Sequence, residues 1–353
     1  MKLIELHMLQ SFPVTCLNRD DVGAPKSGVF GGCNRARVSS QSWKRAIRLM
    51  LRENPENGKF FQGRRTRYFV TGIADELENT HGMKKKEAEA LAKAIGSALF
   101  SPKEVGKNGD FQTKTLFYFS PKERENILKA ALTAQKAKGD VAAAVKVQKG
   151  KAKVKDFADI ALCARMVAND PSLTLEGAAM FSHSLSTHKV GNEIDFFTAV
   201  DDEQPQDELG GGHLGVLEFN ASCYYRYVGV NVDLLKDKDH LGHLTPDELK
   251  VILGTFIRSC IMAVPGARRW SMFGHTLPSY VLGLQRVGQP LCLANAFERP
   301  VRPSRDGFVE PSIKAILSHK DDIFGTFGLP IDVDVAIPDV TLDDFVKELL
   351  SGI

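Results

Sequence analysis

Three short stretches bring cations, small hydroxyls and an amide to the mouth of a helix: Cys16-Leu17-Asn18-Arg19-Asp20-Asp21, Phe30-Gly31-Gly32, and Arg35-Ala36-Arg37-Val38-Ser39-Ser40-Gln41-Ser42-Trp43-Lys44-Arg45. The chemistry those residue types suit is phosphate binding, with Arg19, Arg37, Lys44, Arg45 and Arg48 as cations and Ser39 and Gln41 as neutral donors. From Ser39 onward Trp43, Ile47, Met50 and Leu51 recur at helical spacing and predict a buried stripe. Lys44, Arg48 and Arg52 fall four apart on another face. Cations early in a helix oppose its macrodipole, and no acidic residue lies between Asp21 and Glu53 to offset them. A bound polyanion would, which makes this a candidate nucleic-acid backbone site. The same residues also describe a solvated, basic amphipathic helix.

Signatures of other chemistries are absent. The chain has no Walker A loop, no HExxH, no GxSxG and no GxGxxG between a strand and a helix. His240 and His243 sit three apart among Asp237, Lys238 and Asp239, which reads as a solvated loop. His183 and His188, five apart, would fall on different helical faces. Gly210-Gly211-Gly212 suits a hairpin tip needing positive φ better than a phosphate cradle. Six cysteines without a CxxC pair give neither a disulfide framework nor a zinc ribbon, so reduced thiols are expected, with no structural metal and no cofactor.

A chain of 353 residues, 43% hydrophobic and 25% charged, suffices for two compact units. No run of eighteen apolar residues occurs, and Met1-Lys2-Leu3-Ile4-Glu5 is a strand pattern rather than a signal peptide, so a cytoplasmic location away from membranes is expected. Charge is unevenly spread: residues 1–160 carry 30 Lys+Arg against 17 Asp+Glu, and the remainder is net acidic. Such a chain can hold nucleic acid with its basic part and pack its acidic part against another copy, head to tail; two solvated surfaces are the plainer alternative.

The elements that would position the basic helix follow from periodicity. Residues 3–10 alternate Ile4, Leu6 and Met8 against Glu5 and His7, a half-buried strand, and a long loop then runs to Ser39. Asn54-Pro55-Glu56-Asn57-Gly58 is a breaker and a domain boundary. Helical spacing dominates 59–181, with Ala88, Leu91, Ala92, Ile95 and Leu99 on one amphipathic helix and Phe157, Ile160, Ala161 and Ala164 on another. Its Ala- and Lys-rich segment 136–155 suits an exposed helix or a mobile loop. Strand character returns at 195–200 and 217–232 around the acidic loop 203–212, as a protruding hairpin. Thr245-Pro246-Asp247-Glu248 is a capping box that opens a helix with Leu249, Ile252, Leu253, Phe256 and Cys260 toward the core. Strands at 280–284 and 291–297, a helix at 311–323 and a terminal helix capped at Thr341 complete the chain. The order is that of a ferredoxin-like βαββαβ core with an insertion, the core of an RNA-recognition motif, although the RNP1 signature of that motif is missing.

The blocks CLNRDD, FGG, RVSSQSWKRAIR, HKVGNEIDFFTAVDD, HLGVLEFNASCYYRY, VPGA and LANAFE, in this order from residue 1 to about residue 315, resemble the CasC family, the backbone subunits of type I-E CRISPR Cascade complexes. The long region 53–155 matches no such block. The resemblance implies an α+β chain: a modified RNA-recognition-motif (ferredoxin-like) palm at 1–58 and 182–353, an inserted helical finger lobe at 59–181 and a β-hairpin thumb at 189–223. It implies crRNA, the target DNA strand paired to it, further copies of the chain and other Cascade subunits as partners, with no enzymatic activity. It places Arg19, Lys26, Ser39, Gln41, Lys44, Arg45 and Arg48 on the guide backbone, and Met166, Phe197, Thr198, Val200 and Leu214 against a displaced base. Phe196 reads instead as hairpin core. More distant type III backbone subunits cleave RNA with an acidic residue in a comparable loop, so Asp20 and Asp21 carry a rival reading, a metal-dependent endoribonuclease. A stand-alone RNA-binding protein is the third.

Overall fold

A computed structural model of the protein describes residues 1–100, 103–105, 110–113, 116–148, 155–166, 174–199 and 213–353. The chain opens with β1 (Lys2–Thr15), β2 (Ser27–Phe30), β3 (Cys33–Val38) and α1 (Ser40–Glu53). There follow β4 (Arg64–Thr66), α2 (Phe69–Asn79), α3 (Lys85–Leu99), β5 (Lys103–Val105), β6 (Asp110–Gln112), β7 (Phe117–Phe119), α4 (Pro121–Lys136), α5 (Val141–Gln148) and α6 (Ala158–Cys163). The last part holds β8 (Ala179–Phe181), β9 (Ser184–Ser186), β10 (Glu193–Ala199), β11 (His213–Asn231), α7 (Val232–Leu235), α8 (Pro246–Met262), β12 (Tyr280–Val287), α9 (Val309–Phe327), β13 (Val333–Ile337) and α10 (Leu342–Leu349). Two compact units result: Met1–Met50 with Met180–Asn231 and Leu253–Ile353, and Leu51–Ala179 with Val232–Ile252.

The first unit is a mixed α/β body on an antiparallel sheet ordered β13-β12-β1-β11-β9-β3-β2, with β8 and β10 also paired to β11. Strand β1 is central, pairing Leu6 with Val228 on one side and Gly283 on the other. Elements also cover both of its faces. Leu6 and Met8 are buried, and so are Glu5 and His7, each at 0% exposure, so the expected half-buried strand is buried throughout. Alternation signals a wet face only where nothing packs on it. On the Leu6 face Trp43 of α1 stacks under Arg226 of β11, and Gly283 leaves room for the Phe345 ring of α10. On the Glu5 face Leu9, Tyr225, Tyr227, Leu282 and Leu284 form one core with Leu293, Phe297 and, from α9, Ile316 and Phe324.

Two expectations about this unit are corrected. The stretch before Ser39 is not all loop, because Ser27–Phe30 and Cys33–Val38 form a hairpin. Gly31 and Gly32 make its two-residue turn at φ +60° and +71°, a conformation that only glycine adopts cheaply in pairs. Residues 291–297 are not a strand. Leu293–Phe297 is a 3-10 turn, because side chains of the sheet take its backbone donors: Leu291 N–H donates to Glu5 (2.7 Å) and Leu293 N–H to the Tyr225 hydroxyl (2.9 Å).

In the second unit Phe69, Ile73 and Leu77 of α2 meet Ala88, Leu91, Ala92, Ile95 and Leu99 of α3, the stripe read from spacing. Short strand pairs β4–β7 and β5–β6 accompany the helices. Ser120 and Glu123 form a capping box at the start of α4, and Arg165 pairs with Glu123 at 2.8 Å. Within 136–155, α5 is started by Asp140, whose carboxylate accepts from Ala142 and Ala143 N–H, and Val145 is buried. The capping box of α8 forms as expected, with Glu248 N–H donating to Thr245 Oγ1 and Thr245 N–H to Glu248.

Candidate nucleic-acid interface

The start of α1 is built by three connecting segments of the first unit: the β1–β2 loop, the β3–α1 junction and the β8–β9 loop. Ser39 is its N-cap: Ser42 N–H donates to Ser39 Oγ (3.3 Å), while Ser39 N–H donates to Asn18 Oδ1 (2.9 Å). Asn18 also accepts from Lys26 N–H through its carbonyl (2.9 Å), and Arg37 N–H donates to the Lys26 carbonyl (2.8 Å). Ser40 N–H donates to Nδ1 of His183 (3.2 Å), which stands 3.5 Å from Arg37 Nη1. One asparagine therefore ties the loop carrying Arg19 and Lys26 to the helix carrying Lys44, Arg45 and Arg48.

The cations lie on the rim of that junction. Arg19, Gln41 and Arg45 are exposed, and Lys26, Arg37, Lys44 and Arg48 are half-buried. Lys44 Nζ lies 5.0 Å from the Phe181 ring centroid, which holds its stem without neutralising its charge. Trp43, Ile47 and Leu51 are buried as the spacing predicted, and Met50 only partly. The first turn of α1 has no acidic residue. His183 registers the resulting field: burial, then the charges of Arg37 and Lys26, lower its pKa, consistent with a neutral ring that accepts from the helix. The sequence weighed His183 only against His188 on a helix; it lies instead in the short loop between β8 and β9, and only the fold brings it to α1. Arg35, part of the basic stretch, is structural: fully buried, it donates to the carbonyls of Ser186, Phe297 and Glu298.

The acidic pair has a geometric role. Asp20 Oδ1 accepts from Val22 N–H (3.0 Å) and Ala24 N–H (2.9 Å), closing the turn between Arg19 and Lys26. Asp21 is exposed. The described residues contain no group of three or more His, Cys, Asp or Glu placed to hold a metal ion.

The residues expected to touch a displaced base lie on two different units. Met166, in the second unit, is 81% exposed. In the first, β10 and β11 pair Phe197 with Gly215 and Thr198 with Leu214. The Phe197 ring covers Gly215, where an added Cβ would lie 2.1 Å from it. Val200 lies outside the described residues, and of Leu214 only the strand position is described. Phe196, expected in the hairpin core, is 69% exposed, joined by Ile194 and Val216. A two-stranded arm has no second layer to bury such rings.

A model of CT1975-like proteins (Cas_CT1975) matches residues 4–339. The chain belongs to this family. Its structure is similar to a chain of a CRISPR RNA-guided surveillance complex, pre-nicking, with a TM-score of 0.83 and 26% identity over 98% of this chain and 99% of that one. A second chain, from a CRISPR RNA-guided surveillance complex, matches with a TM-score of 0.71 and 22% identity over the same shares. No curated protein matches. Family and fold bear out the resemblance read from CLNRDD, RVSSQSWKRAIR and the later blocks. No described helix is long and apolar enough to cross a membrane.

Proposed function

We propose that this chain is the crRNA-binding backbone subunit of a type I-E CRISPR Cascade complex. It polymerises along the guide in the cytoplasm, with other Cascade subunits as partners, and presents the guide bases to a complementary DNA strand. The observation that carries this is the α1 junction: Asn18 and Lys26 tie the loop carrying Arg19 and the strand carrying Arg37 to the start of a helix that bears Lys44, Arg45 and Arg48 and has no acidic residue in its first turn. Those groups suit phosphates, so the protein grips backbone and shape while base pairing supplies specificity.

The strand order supports an RNA-recognition-type palm. Strands β12-β1-β11-β9, with α1 between β1 and β9 and α8 between β11 and β12, follow the ferredoxin-like arrangement. In an ordinary RNA-recognition motif the open sheet face stacks bases on aromatics. Here His7, Tyr225 and Tyr227 occupy the middle of that face but are buried beneath Leu293, Phe297 and α9. RNA bound by this chain is therefore read at the edge, by the α1 junction and the β10–β11 arm, whose exposed Phe196 and Phe197 suit a base levered from the stack.

The subunit is non-catalytic in this reading: Asp20 Oδ1 accepts from Val22 and Ala24 N–H, which gives the acidic pair a structural use, and no third His, Cys, Asp or Glu among the described residues joins Asp20 and Asp21 to hold a metal. Purification of the complex from its host tests the proposal. One small RNA species of uniform length is the expected companion; heterogeneous RNA would favour a stand-alone RNA-binding module.

A further inference from the structure

Trp270 is 96% exposed, the most exposed of the large hydrophobic side chains among the described residues. Slack does not explain it, because the loop that carries it is fastened at several points. Gln10 Nε2 donates to the Thr276 carbonyl (2.7 Å), Thr276 Oγ1 to the Ser11 carbonyl (2.8 Å) and Thr15 Oγ1 to the Met272 carbonyl (3.3 Å). Within the loop, Met272 N–H returns to the Arg268 carbonyl at 2.8 Å, closing the turn around Trp270. Phe273, at 68% exposure, and Leu277, at 58%, lie on the same loop.

Its surroundings are cationic. The Arg269 guanidinium carbon lies 5.6 Å from the Trp270 ring centroid. Arg268 Nη2 donates to the Gly23 carbonyl (3.2 Å), fastening the loop to the turn that carries Arg19 and Lys26. No acidic residue occurs in the sequence between Glu248 and Glu298. An outward indole beside guanidiniums, held by a rigid loop and continuous with a phosphate-binding junction, has the composition of a single-stranded nucleic-acid platform.

We propose that Trp270, flanked by Arg268 and Arg269, is a stacking site for an unpaired base of the guide RNA, extending the α1 junction. This rests on the crRNA-binding reading above. The ring supplies a face that any base can use, Arg269 supplies positive charge at the strand, and Arg268 fixes the distance to Arg19. The site reads no sequence, since every base has a π-face.

The chain has two tryptophans, and the other, Trp43, is buried at 3% exposure, so contact quenching of indole emission by a stacked base reports on Trp270. The full-length protein is titrated with a fluorescein-labelled oligouridylate for anisotropy and with the unlabelled oligomer for tryptophan emission, alongside Trp270→Phe and Trp270→Ala. The expected result is quenching in the wild type that saturates with the anisotropy and is absent in Trp270→Phe. Trp270→Ala weakens binding roughly five- to fifty-fold with little change in salt slope, and Trp270→Phe stays within about threefold of the wild type. Anisotropy without quenching, and Trp270→Ala binding as tightly as the wild type, would overturn the stacking site and leave the α1 reading standing. An emission shift that tracks protein concentration without RNA would overturn it in favour of contact with a second copy. No anisotropy change in the wild type would remove the crRNA reading, and this site with it.

Discussion

The Arg226 guanidinium carbon lies 3.6 Å from the centroid of the Trp43 ring, with both side chains buried. Arg226 also donates to Gln10 Oε1 and to the Cys260 carbonyl, so one residue of β11 gathers β1, α1 and α8. The basic helix is thereby held by a cation beneath it while it offers cations outward. Arg226→Ala removes the stack and the donor to Gln10, and should cost about 3 kcal/mol in urea unfolding. A midpoint within error of the wild type would show that α1 is anchored elsewhere.

His7 gives stability a pH dependence. Burial, then the charges of Arg286 and Lys320, hold its pKa at about 3, and its Nδ1 lies 2.9 Å from the Tyr225 hydroxyl. The folded pKa is below the unfolded one, near 6.5, so the unfolded state binds the extra proton between these values. Stability is fully present above about pH 6.5 and falls as pH drops toward 3, by up to about 1.4 kcal/mol per unit from this group. Urea midpoints for wild type and His7→Gln, compared at about pH 7 and about pH 5, should show a shallower acid loss in the variant. Parallel profiles would assign the acid sensitivity to other groups.

Much of this architecture was legible in the sequence because periodicity and capping are local. The α1 stripe, the α3 stripe and the Thr245 and Thr341 caps need only neighbours along the chain. What stayed hidden depends on distant partners. Glu5 and His7 read as a solvent face because α9 and Leu293, which cover them, lie hundreds of residues away. The strand-like residues 291–297 became a turn because Glu5 and Tyr225 take their donors. At the site, the cations were plain from composition, whereas the conversion of Arg35 into a buried strut and the entry of His183 required the fold.

Lys44 and Arg48, one turn apart on α1, should act on phosphates alike for any sequence. The double variant Lys44→Ala/Arg48→Ala is expected to weaken RNA binding uniformly and flatten the slope of log K against log salt by about 0.7 per lost contact. Equal slopes for variant and wild type would make this a solvated helix face.

Asp20 should matter for shape and not for chemistry. With guide, complementary RNA or DNA and Mg²⁺ or Mn²⁺, both strands should remain intact over hours, and Asp20→Ala should lower RNA affinity through loss of the turn at Val22 and Ala24. Specific cuts that vanish in Asp20→Ala or Asp21→Ala would establish the endoribonuclease instead.

Assembly along RNA is tested most directly by native mass measurement on guides of increasing length. The account predicts complexes that grow by whole copies of the chain at a regular length increment. Deletion of residues 201–212 should leave a folded protein that still binds RNA but loses that regular spacing. A single copy per RNA at every length, or regular increments that survive the deletion unchanged, would contradict it.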